Sequence, residues 1–122
     1  MVPFLWVALG GAAGAMARYG VALLLAGVRV AGFPWATLVV NVLGCAAIGH
    51  LLGIESPRPW LTDRHRWLLV SGFLGSFTTF STFGHETYTL MHRGQTGLAG
   101  AYVASSLVLS GLALWIALRT AA

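Results

Sequence analysis

Charge is what this sequence has least of. Only 8% of its 122 residues are charged and 57% are hydrophobic, whereas an ordinary soluble domain is about 25% charged. A water-facing surface cannot be built from so little. Lysine is absent, so the formal net charge of +4 comes from seven arginines. These are scattered over loop ends and form no basic patch, which excludes nucleic acid as a partner. Cysteine is nearly absent too. Cys45 is the only thiol, so no intrachain disulfide can form, and its place inside an apolar run favours packing over reactivity. No Lys or Arg precedes the first apolar run, as a secretory leader would require, although Ala15-Met16-Ala17 imitates a cleavage site. Neither a nucleophile with its base nor a set of metal-ligating side chains can be assembled from the motifs, and no enzyme is expected.

Hydrophobic runs are there instead. A spanning helix needs about 20 apolar residues to cross the hydrocarbon core, and four runs qualify: Phe4 to Val28, Trp35 to Ile54, Trp67 to Met91, and Leu98 to Leu118. The breakers and most charges collect between them, at Arg29 to Pro34, at Glu55 to Arg66 with Pro57 and Pro59, and at His92 to Thr96. The fold class expected is an all-α membrane protein, one domain of four transmembrane helices. Both termini and the middle loop would share one side, with Arg58, Arg64, Arg66 and Arg119, against Arg29 and Arg93 on the other. Counting Arg18 with the smaller group nearly cancels the bias that orients membrane proteins, so insertion in both directions is expected.

Four helices make a bundle too thin to surround an ion path and also shield it from lipid. A partner is therefore expected, and two oppositely inserted copies would reproduce by assembly the pseudo-symmetry that many transporters reach by duplication. Gly10 with Gly14, and Gly49 with Gly53, have the small-xxx-small spacing that lets helix backbones touch.

Polar groups within the apolar runs carry the functional information, because they are costly in hydrocarbon and tend to face a cavity or a partner. Thr37 and Asn41 lie four residues apart on one face of the second run. On position alone, an interhelical hydrogen bond and an ion contact explain Asn41 equally well. Tyr102, Ser106 and Ser110 recur every four residues in the fourth run, forming a hydroxyl stripe. The third run holds the densest signal: Gly72-Phe-Leu-Gly75-Ser-Phe-Thr78-Thr-Phe80-Ser-Thr-Phe83-Gly84. Glycines followed by Ser and Thr make a poor helix interior, which survives at membrane depth only where protein or a cavity re-satisfies the freed backbone. A break near Gly75 to Thr78 is expected, exposing carbonyls that suit a small hard cation. Phe80 and Phe83 follow at helical spacing, a pattern that ordinary core packing also explains. Arg18 either snorkels or forms a positive mouth, and Glu86 either pairs with Arg or faces a vestibule. His50 and His85 read as interfacial or hydrogen-bonded.

Three strings taken in order, Gly10-Gly11-Ala-Ala-Gly14-Ala-Met-Ala-Arg18-Tyr19, Thr37-Leu-Val-Val-Asn41-Val-Leu-Gly44 and Gly75-Ser-Phe-Thr78-Thr-Phe80-Ser81-Thr82-Phe83, resemble the Fluc/CrcB fluoride channels over nearly the whole chain. The resemblance implies a dual-topology antiparallel homodimer in the cell (inner) membrane, with two parallel pores passing fluoride and a structural sodium ion at the interface. It further implies that Gly75 and Thr78 offer backbone carbonyls to sodium, that Phe80 and Phe83 line the pores, and that Asn41 donates to fluoride. Tyr102, Ser106 and Ser110 would match the hydroxyl track, with Arg18 at the aqueous mouth and Thr37, Ser81, Thr82 and Glu86 as further pore or vestibule residues. Ser76 stands where many relatives have Gly, and Ala46 where an aromatic is frequent. A competing dual-topology small multidrug exporter would want a carboxylate in the first run, which here carries Arg18 and no acid. A second competitor, a helical scaffold without transport, would use the same polar groups only to hold helices together.

Overall fold

The computed structural model describes residues 1–28, 32–53 and 58–121, and within them every regular element is helical. Arg29, Ile54, Glu55 and Pro57, which the sequence places at loop ends, lie outside the described residues. Helix α1 runs Val2–Leu25, with a proline in its first turn where the missing N–H costs nothing. Helix α2, Trp35–Leu52, begins directly after Pro34. The last helix, α6, spans Thr96–Thr120. These three are long and apolar enough to cross a membrane, and their bounds fall within a few residues of the first, second and fourth apolar runs.

The third run is built differently. It is not one long helix but a chain of short pieces: α3 at Asp63–His65, a π-helical segment at Arg66–Leu74, α4 at Gly75–Phe77 and α5 at Phe80–His92. The π-helical segment was not legible in the sequence. Between α4 and α5 the backbone is extended at Thr78 (φ −82°, ψ 158°) and Thr79 (φ −152°, ψ 124°). Helix α5 closes on Gly94, whose φ of 76° is the left-handed conformation glycine adopts without penalty. There Gly94 N–H donates to the Met91 carbonyl at 3.0 Å and Gln95 N–H to the Leu90 carbonyl at 2.9 Å, the paired bonds of a Schellman stop. The chain thereby reverses tightly into α6.

Glycine sets how closely the helices approach. Helix α1 lies along the π-helical segment and α4. A Cβ placed on Gly10 would stand 2.0 Å from the Leu68 carbonyl oxygen, and one on Gly14 2.1 Å from that of Phe73. Gly72 answers from the other side, where a Cβ would meet the Val7 carbonyl oxygen at 2.7 Å. The second glycine pair serves α2, since Gly49 packs on Leu114 and Ala117 of α6 and Gly53 on Ala121. A small core of Leu38, Leu90, Ala99 and Tyr102, flanked by Phe33, Trp35, Val42, Phe83 and Leu98, joins α2, α5 and α6. Most remaining large apolar side chains, among them Leu5, Leu9, Leu24, Leu107 and Trp115, are exposed. Such a surface suits lipid as solvent.

Candidate functional site

The extended pair Thr78-Thr79 organises the site. Asn41 of α2 clamps Thr79 on both sides: the Thr79 N–H donates to Asn41 Oδ1 at 2.9 Å, and Asn41 Nδ2 donates to the Thr79 carbonyl at 3.1 Å. These two bonds replace the helical pairing that Thr79 forgoes. The Thr79 hydroxyl then starts α5 as an N-cap, accepting from Thr82 N–H at 3.3 Å and donating to Thr82 Oγ1 at 3.1 Å. On the other flank Thr78 Oγ1 donates to the Leu74 carbonyl at 2.9 Å.

This arrangement strips donors from two carbonyls. In a continuous helix the Thr79 N–H would serve the Gly75 oxygen and the Thr82 N–H the Thr78 oxygen. Here the first goes to Asn41 and the second to the Thr79 hydroxyl. The end of α4 thus presents backbone oxygens at the negative end of a helix dipole, and Gly75 itself is exposed.

Two grooves meet at this junction. The larger, of about 460 Å³, is lined by Asn41, Gly75, Thr78, Phe80, Phe83, Ser106 and Ser110, together with Gly44, Cys45 and aliphatic residues. Residues from four separate stretches of the sequence therefore share one wall. Gly44 makes the approach possible, because a Cβ there would fall 2.1 Å from Thr78 Cγ2. Phe80 is 82% exposed, with its ring centroid 5.7 Å from that of Phe83 at an interplanar angle of 40°. Ser106 is buried and its Oγ has no hydrogen-bond partner. A buried hydroxyl left unpaired costs free energy and is ready to donate to whatever occupies the groove.

The smaller groove, of about 280 Å³, gathers Arg18, Tyr19, Thr37, Thr79, Thr82 and Glu86. Thr37 Oγ1 donates to Glu86 Oε1 at 2.9 Å, and Tyr102 OH donates to Glu86 Oε2 at 2.6 Å. Tyr102 therefore parts from the other two members of its stripe. Fully buried, it turns its hydroxyl to Glu86 while its ring packs 5.1 Å from Phe83, bridging the two grooves from behind. Ser81 lines neither groove and is exposed, its Oγ 3.5 Å from Thr79 Oγ1.

Thr79 is the residue that sequence reasoning passed over, although it touches both the clamp and the smaller groove. A hydroxyl residue immediately before the Phe80 helix is the N-cap signal that marks it. Asn41 carries a second assignment as well. One of its amide hydrogens is committed to Thr79, and the other remains for the larger groove that it lines.

Long apolar helices whose few polar side chains converge on two neighbouring grooves define a helical membrane protein. The chain belongs to the CrcB family: its residues 5–118 match the family described as CrcB-like protein, Camphor Resistance (CrcB). It is 43% identical to a fluoride-specific ion channel FluC of Acidobacterium capsulatum, over 93% of this chain and 90% of the relative. A FluC of Nitratidesulfovibrio vulgaris is 47% identical over 92% of this chain and 90% of its own length. One of Rhizobium etli is 41% identical over 97% and 99%.

Proposed function

We propose that the chain is a fluoride-selective channel of the cell (inner) membrane, which lets fluoride leave the cell passively and works as an antiparallel homodimer of oppositely inserted copies. The observation that carries this reading is the larger groove: uncharged donors, aromatic rings and backbone oxygens converge on it, and one side of it stays open. Phe80, 82% exposed on the isolated chain, has no cover of its own, and a second copy supplies that cover and closes the groove into a pore. The third run completes the set of four spans, its extended residues held at membrane depth by Asn41.

Fluoride is small and tightly hydrated, so a narrow pore must return the lost water contacts as hydrogen-bond donors of nearly equal free energy. The remaining Asn41 amide hydrogen and the hydroxyls of Ser106 and Ser110 do so without a full charge. Conduction needs binding strong enough to enter and weak enough to leave, and a guanidinium in the narrow part would hold the anion. Arg18 accordingly sits in the smaller groove, where it draws anions to the mouth. Phenylalanine adds the positive edge of its ring, and two rigid rings fix the bore against larger halides. Thr37, Thr82 and Glu86 belong to the vestibule, with Ser81 at its rim.

The donor-stripped carbonyls of Gly75 and Thr78 fit a sodium ion, being hard, neutral oxygens at the negative end of α4. Each subunit would contribute its pair, and the ion would supply a fixed positive charge that pins the two extended segments together. Ser76 is outside the carbonyl pair, and Ala46 lines neither groove.

Fluoride efflux from liposomes holding the purified protein, with chloride as control, tests the function. Rapid fluoride release with no chloride release is expected. Equal release of both halides, or a protein that is monomeric in bilayers, would refute the proposal.

A further inference from the structure

The end of the molecule where α1 begins and α6 finishes has a character of its own. Four of the five tryptophans, Trp6, Trp60, Trp67 and Trp115, fall there, as do Arg58, Arg64, Arg66 and Arg119. Tryptophan concentrates at the headgroup level of a bilayer, so this end sits in the interface. Two of the arginines are engaged: Arg58 donates to the Ala121 carbonyl at 2.7 Å, and the Arg119 guanidinium lies 4.5 Å from the centre of the Trp115 ring. Arg64 instead faces a cavity of about 660 Å³ beside the first turns of α1, lined also by Trp6, Asp63, His65, Trp67 and Leu68. His65 is held in place by Thr62, Oγ1 to Nδ1 at 2.9 Å, and by edge contact with Trp60 at 6.3 Å between ring centres.

The cavity joins one carboxylate and one guanidinium at its rim to a wall of two indoles and a leucine, and none of the ion-path residues takes part. Beside Thr62 and His65 its rim carries one carboxylate and one guanidinium, a pair of opposite signs that matches a zwitterion better than an anion. The geometry points to a headgroup site for a phospholipid with a primary amine, of the phosphatidylethanolamine class, its phosphodiester against Arg64, its ammonium against Asp63 and its upper acyl chain along Trp6, Trp67 and Leu68. A choline headgroup has no N–H to give Asp63. A glycerol headgroup sets a net negative lipid against a carboxylate. Basic pockets between membrane helices are known headgroup sites; Asp63 narrows the choice here. The inference rests on membrane embedding alone and is independent of the ion that passes.

Native mass spectrometry of the full chain tests it, with phosphatidylethanolamine, phosphatidylcholine and phosphatidylglycerol added separately at equal concentration. The wild type should retain the primary-amine lipid roughly three- to fivefold better than the choline lipid, the effect of one partly exposed charge pair. Arg64→Gln should lower retention of all three lipids. Asp63→Asn should erase the preference while leaving the choline lipid bound as before, and Arg93→Gln, at the opposite end, should change nothing. Equal retention of the three lipids by the wild type overturns the proposal without recourse to any variant. So does a preference that survives Asp63→Asn, a loss with Arg93→Gln equal to that with Arg64→Gln, or displacement of the lipid by millimolar inorganic phosphate.

Discussion

Replacing Asn41 with alanine removes both bonds that hold Thr79 in place. The N–H of Thr79 donates to Oδ1 at 2.9 Å and its carbonyl accepts from Nδ2 at 3.1 Å. Because Thr79 is extended, with φ −152° and ψ 124°, neither group can fall back on the helices that flank it. A buried backbone group left unpaired costs about 1–3 kcal/mol, whereas interhelical hydrogen bonds in membrane proteins average about 0.6 kcal/mol. Taking the partly buried pair at about 2 kcal/mol together, the population in which the junction has let go rises roughly thirtyfold. The thermal midpoint in detergent should fall, and fluoride efflux from liposomes with it. Asn41→Asp separates the clamp from the ion contact. It keeps an acceptor for the Thr79 N–H but sets a second oxygen against the Thr79 carbonyl and a negative charge on the groove. It should abolish flux, and the unpaired charge facing the Thr79 carbonyl should lower the midpoint as well. Wild-type flux and midpoint in the alanine variant would refute the clamp, and full flux in the aspartate variant would move the ion path elsewhere.

Gly14→Ala puts a Cβ 2.1 Å from the Phe73 carbonyl oxygen, where only backbone can yield; a loss of about 2 kcal/mol or more is expected from overpacking. Gly20→Ala on the same helix meets nothing within 4 Å and should be neutral or slightly stabilising, so equal midpoints for the two variants would refute the close packing. Phe80→Ile and Phe83→Ile should each lower fluoride flux and leave dimers intact in crosslinking, while unchanged flux in both removes the rings from the path. Tyr102→Phe deletes a 2.6 Å bond to Glu86 and should cost about 1 kcal/mol; a double-mutant cycle with Glu86→Gln should then be non-additive, and additive midpoints would refute the coupling. Replacing sodium with a large organic cation should lower the wild-type midpoint, and an unchanged midpoint would leave the Gly75 and Thr78 carbonyls without that role.

Much of the candidate site was legible because membrane sequences advertise polarity. Asn41, Ser106 and Ser110 stand out in apolar runs by the cost of burying them, and the structure brings all three to one groove with Phe80, Phe83, Gly75 and Thr78. Arg18, Thr37, Thr82 and Glu86, weighed separately in the sequence, share the other. Two residues take contacts that the linear pattern does not show. Tyr102 lies on the stripe of Ser106 and Ser110, yet its longer side chain reaches past the groove to Glu86. Ser81 follows Phe80 in the chain, and on the isolated chain it is exposed with its Oγ 3.5 Å from Thr79 Oγ1. The N-cap role of Thr79 was open to local reading, but its clamp was not, because that depends on a partner 38 positions away.

Composition and hydrophobic run length alone determined that this is a helical membrane protein, because so few charges cannot make a soluble surface and each run matches the thickness of hydrocarbon. Glycine spacing also announced where backbones would meet. Only the tertiary structure decided which backbone each glycine meets, that Asn41 spends its side chain on Thr79, and that the Gly75 and Thr78 oxygens lose their donors. Those outcomes follow from competition between distant hydrogen-bond partners for the same groups, and such a competition is settled by packing in three dimensions rather than by residues that are neighbours in the chain.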